Sequence, residues 1–387
     1  MDVVPLTRDL VTIPSHEDET AAGDRIEDWL RTQTEATVER DAHGNVVARR
    51  TAPGSPSPSS AVEAGPRPSL ALVGHHDVVP PDEAQVDADG TYVVEEREGR
   101  IYGRGTADMK GSLAAAMLAF RDADLGRAAD DGAAALEGPF DLVLASFVGE
   151  EDGGVGCRAA IEDGFAPDYA VVGEGSTGYS AAGLTDVAVA HRGRRGSTIV
   201  AEGQAAHASE PEAGANAIYR ATDAVGKVRN LEVPEATVLG HELTGRVVVT
   251  EIEGGTAWNV VPERCSVTVD ERTVPGGRAA LEAVEDIQGV SWTVDQDLPP
   301  MACGDESFAE LVCDVAAGVQ SNSPGQVLKP HATDAGWLAG AGTECVVVGA
   351  AEPGEAHTAA ESVSVEVVER CRLMYREVAE GFGALVA

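Results

Sequence analysis

The sequence predicts an α/β fold: a mixed, largely parallel sheet flanked by helices, with an α+β domain inserted into it. Three observations carry this expectation. Four short uninterrupted apolar runs, Leu70–Val73, Leu142–Val148, Tyr169–Val172 and Cys345–Val348, read as strands buried on both faces. Helical stretches such as Ser112–Phe120 separate them, as parallel pairing requires. Residues ~181–295 read differently, as β-rich segments around a single helix.

Taken in order, residues 5–13 and 18–33 read as two helices, the second with Ala22, Ile26, Trp29 and Leu30 at helical spacing. The Pro/Ser-rich stretch 52–68 reads as a surface loop. The four apolar runs follow, each ending in a polar cluster: Gly74-His75-His76-Asp77, Gly149-Glu150-Glu151-Asp152, Gly173-Glu174, and Gly349 with His357 shortly after. Thr185–Ala190, Ser197–Val200, Arg246–Ile252 and Ser266–Asp270, with a helix near Ala213–Arg229, make the inserted domain. The expected organisation is residues 1–180 and 296–387 in one domain and 181–295 in the insertion.

Composition narrows the function. The chain has 387 residues, with 28 Lys+Arg against 65 Asp+Glu, a formal net charge of −37. Such a charge repels phosphate backbones and anionic lipid, so neither nucleic acid nor a membrane surface is an expected partner. Hydrophobic residues make up 43%, enough for a large core. The lysines are Lys110, Lys227 and Lys329 alone, so the cations are nearly all Arg. An acidic, Lys-poor surface of this kind points to a salt-loving source with a high-salt cytoplasm, where molar salt screens self-repulsion within about 3 Å. A melting temperature that rises with KCl is its expected signature. Six scattered cysteines without a C-x-x-C pair argue against a zinc knuckle or a disulfide framework. Neither a signal peptide nor a run of ~20 apolar residues is visible, and a cytoplasmic location is expected.

In open α/β sheets ligands bind at the carboxyl ends of the strands, and the four polar clusters all sit there. These clusters are therefore read as one site, with His75, Asp77, Asp108, Glu150, Glu151, Glu174 and His357 as its candidate residues. Imidazole and carboxylate without thiolate suit zinc, cobalt or manganese. Two His with three or four carboxylates exceed one tetrahedral zinc and match two metals ~3.5–4 Å apart, bridged by a carboxylate. On spacing alone, Asp108 could instead cap the helix that follows, and His76 rivals His75 as a ligand.

The segments Gly74-His75-His76-Asp77-Val78-Val79-Pro80, Gly103-Arg104-Gly105-Thr106-Ala107-Asp108-Met109-Lys110-Gly111 and Gly149-Glu150-Glu151 resemble the acetylornithine deacetylase, succinyl-diaminopimelate desuccinylase and aminoacylase family. The resemblance spans nearly the whole chain. It implies a dinuclear zinc amidohydrolase with an inserted lid, or dimerisation, domain. His75, Asp108 and Glu174 would hold one metal and Asp108, Glu151 and His357 the other, with Asp108 bridging and a cis bond after it. The family's G-H-x-D order places the ligand first, favouring His75 over His76, and makes Asp77 the carboxylate that orients the imidazole. Glu150 matches the general base for a water held between the metals. Gly203-Gln204-Ala205-Ala206-His207-Ala208 resembles the lid motif whose His stabilises the oxyanion in the partner subunit's site, which implies a homodimer. By the same resemblance Asn259 donates to the substrate and Arg272 clamps its α-carboxylate.

The choice of Glu174 is similar to the deacetylase and desuccinylase branches, whereas many peptidase and aminoacylase branches carry Asp. The favoured substrate is therefore a small N-acyl-L-amino acid, as in amino-acid biosynthesis. A metallo-exopeptidase cleaving dipeptides or the carboxyl ends of short peptides is the alternative on the same scaffold. A non-catalytic binding protein is disfavoured because every ligand and Glu150 are present. Gly149 stands where many relatives have Asp, and Gly175-Ser176 where many deacetylases have Pro-Thr.

Overall fold

The computed structural model describes residues 2–52, 67–126 and 139–387, which form two compact units. The first comprises Met1–Ala190, Ala302–Lys329 and Thr333–Ala387; the second comprises His191–Met301 and Pro330–Ala332. The loop expected at 52–68 lies, except at its ends, outside the described residues.

Four strands at the centre of the first unit run parallel, in the order Asp141–Phe147, Ser69–His75, Tyr169–Val172, Glu344–Val347. These are the four apolar runs. Ser69–His75 is buried at every position, because helices cover both faces and no alternation with polar residues is needed. The antiparallel pair Thr37–Arg40 and Val46–Thr51 extends the sheet on one side. Val187–His191 extends it on the other, antiparallel to Glu344–Val347.

The helix Gly111–Asp122 is buried from Gly111 to Phe120 and packs against the last helix, Val365–Leu385. The latter turns Val368, Cys371, Met374, Tyr375, Val378 and Phe382 inward, at helical spacing. Each fully buried Leu or Phe of this layer contributes about 1.5–3 kcal/mol.

Several boundaries differ from expectation for local reasons. The first helix, Val3–Val11, starts earlier because the Asp2 side chain accepts the Val3 N–H. The second starts at Thr20, since the Asp18 carboxylate takes the Thr20 N–H in a preceding turn. Thr185–Ala190, assigned to the insertion, belongs instead to the first unit: Val187–His191 pairs with the central sheet, where a fully buried strand satisfies its backbone. The expected boundaries at 180/181 and 295/296 thus move to Ala190/His191 and Met301/Ala302.

In the second unit a four-stranded antiparallel sheet runs in the order Arg246–Gly254, Arg264–Arg272, Arg194–Glu202, Val290–Leu298. One face alternates into a core of Ile199, Ala201, Val267 and Val269, closed by Ala221, Ala224 and Val228 of the helix Ala217–Arg229. The period-2 pattern of Arg264–Arg272 is what a sheet covered on one side demands. Among the described residues, no helix is long and apolar enough to cross a membrane.

Candidate metal centre

Because the four central strands are parallel, their carboxyl ends lie along one edge, and the loops leaving them converge there. His75 closes the strand Ser69–His75. Its Nδ1–H donates to the Asp77 backbone carbonyl at 3.1 Å, with the Asp77 carboxylate at 3.3 Å. A carbonyl can only accept, so this contact fixes the proton on Nδ1 and turns Nε2 into the site. There Nε2 lies 3.1 Å from Asp108 and 3.1 Å from Glu174. His76 goes the other way, its Nδ1 meeting the Ser146 hydroxyl at 2.8 Å, and burial pushes its pKa down to about 3. Successive side chains of an extended chain point to opposite faces, which separates these two histidines.

Asp108 lies in an irregular turn between Gly105 and the helix that begins at Gly111, with extended backbone (φ −129°, ψ 96°). It is therefore not that helix's cap; Lys110 occupies the position before Gly111. The Asp108–Met109 peptide is cis. Met109 is fully buried, and its methyl would lie 2.7 Å and 2.6 Å from a Cβ added at Gly74 and Gly173. Glycine at both strand ends is what lets Met109 anchor the turn there.

The fourth loop brings His357, at φ 62° in the left-handed region, to 3.2 Å from Asp108 and 2.9 Å from Glu151. Two groups of potential ligands result: His75, Asp108 and Glu174, and Asp108, Glu151 and His357. They share Asp108, which offers one oxygen to each imidazole. Nitrogen and carboxylate donors without thiolate are the chemistry of catalytic zinc, cobalt or manganese, so the donor set fits a pair of divalent cations.

Electrostatics point the same way. For His75, burial works against the charged ring, but Asp77, Asp108 and Glu174 overcome it and raise its pKa well above the ordinary value. Hydrogen bonds to Asp108 and Glu151 push His357 up to about 10. Burial alone would raise Asp108, yet its bonds to His357 and His75 hold it far below the usual carboxylate range. Glu150, beside this cluster, is raised well above normal by burial and then by the charge of Glu174. Asp334, in the Thr333-Asp334-Ala335 segment, is driven up to about 7 by burial among the same carboxylates. The site concentrates carboxylates about two imidazoles, a charge that a pair of divalent cations would offset.

Two further pieces of the site were not read from sequence. Lys329, at the end of the strand Gln326–Lys329, is buried and donates to Glu174 at 3.3 Å and to the Gly175 carbonyl at 3.0 Å. Glu361, four residues after His357, accepts from the backbone N–H of Ala107 (3.0 Å) and of Asp108 (3.3 Å) and pairs with Arg104. That pair ties the loop carrying His357 to the turn carrying Asp108. The rarity of lysine and the Arg104 of the quoted motif were the available signals. Burial raises Glu361 to about 7 despite Arg104, so the pair is only partly ionised at neutral pH, and Glu361→Gln is expected to destabilise the fold in urea unfolding by less than the about 3–5 kcal/mol of a fully ionised buried pair.

The remaining candidates lie in the second unit. His207 is exposed on the two-residue strand Ala206–His207, which pairs with Val260–Val261; its Nδ1 meets the Ser209 hydroxyl at 2.7 Å. The Ala208 N–H donates to the Asn259 carbonyl at 2.9 Å, which makes His207 and Asn259 neighbours. The Arg272 Nε donates to Asp270 at 2.7 Å, and Asp270 also accepts from Arg194 at 2.8 Å.

Comparison with known proteins fits this geometry. Residues 71–381 match the model of peptidase family M20/M25/M40, and the chain belongs to that family. It is 30% identical over 342 residues to an acetylornithine deacetylase of Myxococcus xanthus, covering 82% of this chain and 81% of the relative. Among solved structures, aminopeptidase PepT from Bacillus cereus superposes with a TM-score of 0.70 at 19% identity, over 98% of this chain and 97% of that one. The YXEP protein of Bacillus subtilis, described as a dinuclear metal binding peptidase from the M20 family, superposes with a TM-score of 0.67 at 15% identity, over 100% of this chain and 98% of that one. The chain is a hydrolase of amide bonds.

Proposed function

We propose that the protein removes the acyl group from a small N-acyl-L-amino acid, as acetylornithine deacetylases and succinyl-diaminopimelate desuccinylases do, with two divalent cations in the site. The observation that carries the two-cation part of this reading is Asp108, placed between His75 and His357 with one oxygen toward each, and the N-acyl part rests on the 30% identity to an acetylornithine deacetylase. His75, Asp108 and Glu174 would hold one cation, and Asp108, Glu151 and His357 the other; zinc suits the donors, as do cobalt and manganese. When bound, the cations supply a Lewis acid for the amide carbonyl and acidify the attacking water.

The chain's own groups do the rest. Asp77 orients His75 through Nδ1 and accepts the Glu151 N–H at 3.0 Å, so one carboxylate aligns a ligand of each group. Glu150 accepts the proton of the water as its oxygen bonds to the acyl carbon, then delivers it to the amine nitrogen as the C–N bond breaks. His207 stabilises the developing oxyanion, Asn259 donates to the substrate, and Arg272 meets its carboxylate once released from Asp270. His207 is read as acting in the active site of a second copy. The outer strand Arg246–Gly254, with Val248 and Ile252 each 53% exposed, is a suitable edge for pairing in a homodimer. A fully active monomer in sizing experiments would remove that role.

The substrate panel decides the class. Metal-stripped protein, with zinc or cobalt restored in molar KCl, is expected to hydrolyse N-acetylornithine, N-succinyl-diaminopimelate or simple N-acetyl amino acids faster than dipeptides. Faster turnover of dipeptides would make it an exopeptidase, and no metal-dependent turnover of either would sink the reading.

The raised histidines give a pH dependence. Without metal, its bonds to Asp108 and Glu151 hold His357 protonated at neutral pH, and the carboxylates about His75 raise its proton affinity in the same direction, whereas a metal ligand must be unprotonated. A cation held by His357 therefore displaces about one proton, and affinity for it falls about tenfold for each unit of pH lowered below the raised value of that histidine. Calorimetric titrations in two buffers of different ionisation enthalpy are expected to show this release.

A further inference from the structure

We propose that Lys329 is a positioning residue that keeps Glu174 a one-oxygen ligand, so that the two carboxylates completing the metal groups are held in unlike ways. The proposal rests on the dinuclear reading above. Glu174 is divided between two partners: Oε1 is 3.1 Å from His75 Nε2, inside the candidate metal group, and Oε2 is 3.3 Å from the Lys329 ammonium. The same ammonium donates to the carbonyl of Gly175, the residue after Glu174, at 3.0 Å. Lys329 thus grips the side chain and the adjoining backbone together, which restrains the rotation that would bring both oxygens to one cation.

Glu151 is the internal contrast. Its Oε1 lies 2.9 Å from His357, and among the described residues no side chain holds its second oxygen. Burial separates the two groups as well, with the His75 side chain 1% exposed and that of His357 47% exposed.

Lysine suits this task better than arginine. A compact ammonium places a point charge on one oxygen, whereas a guanidinium tends to engage both oxygens of a carboxylate in a fork. Burying an ammonium is costly unless it is paired and hydrogen-bonded, and both conditions are met here. The chain has three lysines, and this one is spent inside the fold against a candidate ligand.

The test uses the full chain loaded with two equivalents of cobalt(II), whose visible bands lose intensity and move to shorter wavelength as coordination number rises. Lys329→Met removes donor and charge, freeing the second oxygen; its cobalt spectrum is expected to weaken and shift, with kcat falling and KM held. Lys329→Gln keeps a donor without the charge and is expected to retain the wild-type spectrum, which also covers the case in which Lys329→Met does not fold. A Lys329→Met protein that binds two cobalt ions with the wild-type spectrum overturns the proposal, even if its melting temperature falls. If neither wild type nor variant binds cobalt, the dinuclear reading itself fails.

Discussion

Glu150→Gln is expected to lower kcat by about 10²- to 10⁴-fold, the usual contribution of a general base, while metal content and KM stay near wild type. The amide keeps the shape of the carboxylate and removes only its capacity to take a proton. Glu150 belongs to neither group of metal ligands, so the cations should be indifferent to the change. Its surroundings explain why it is suited to the task. Burial and the neighbouring charge of Glu174 raise its proton affinity above that of an ordinary carboxylate, and cations held beside it would lower that affinity again. Steady-state kinetics with metal analysis on the same sample decides the matter. A variant that lost metal in proportion to activity would make Glu150 a ligand, and one with unchanged kcat would remove it from the chemistry.

Asp108→Asn should have the broader effect. Asp108 is the residue common to both ligand groups, with one oxygen toward His75 and the other toward His357. A neutral amide has one good acceptor and cannot serve both. After dialysis, metal content is expected to fall from about two per chain to one or fewer, with hydrolysis abolished. The loss of affinity should exceed the roughly 10–100-fold seen when only a supporting partner of a ligand is lost. The turn should survive, because Glu361 holds it through the backbone N–H groups of Ala107 and Asp108, which the substitution leaves in place. Circular dichroism like that of wild type, together with metal loss, is the expected pair of results. Retention of two metals would show that Asp108 does not bridge.

The four central strands were legible because burial on both faces writes itself into sequence as an unbroken apolar run. Leu142–Val148 and Tyr169–Val172 could hardly be anything else, and the polar residues that end each run marked the edge where the site forms. Thr185–Ala190 was harder. Its pattern is that of a buried strand in either unit, and only pairing with Glu344–Val347 assigns it to the first. Periodicity records how much of a strand is covered, not which neighbour covers it.

His75 and His76 make the same point at the site. Composition and spacing treat them alike, and before the family resemblance nothing in the sequence separated them. The structure does so through direction, sending one imidazole to Asp108 and Glu174 and the other to Ser146.

By itself, the sequence determined the kinds of donor available, imidazole and carboxylate at four strand ends, and with them the class of chemistry. These are local properties, carried by residue type and short spacing. Only the tertiary structure decided the supporting contacts. Lys329 reaches Glu174 across 155 positions of the chain, and Glu361 reaches Asp108 across 253. Contacts of such range arise when strand order and loop closure bring distant segments together, and they leave no periodic trace for a sequence to show.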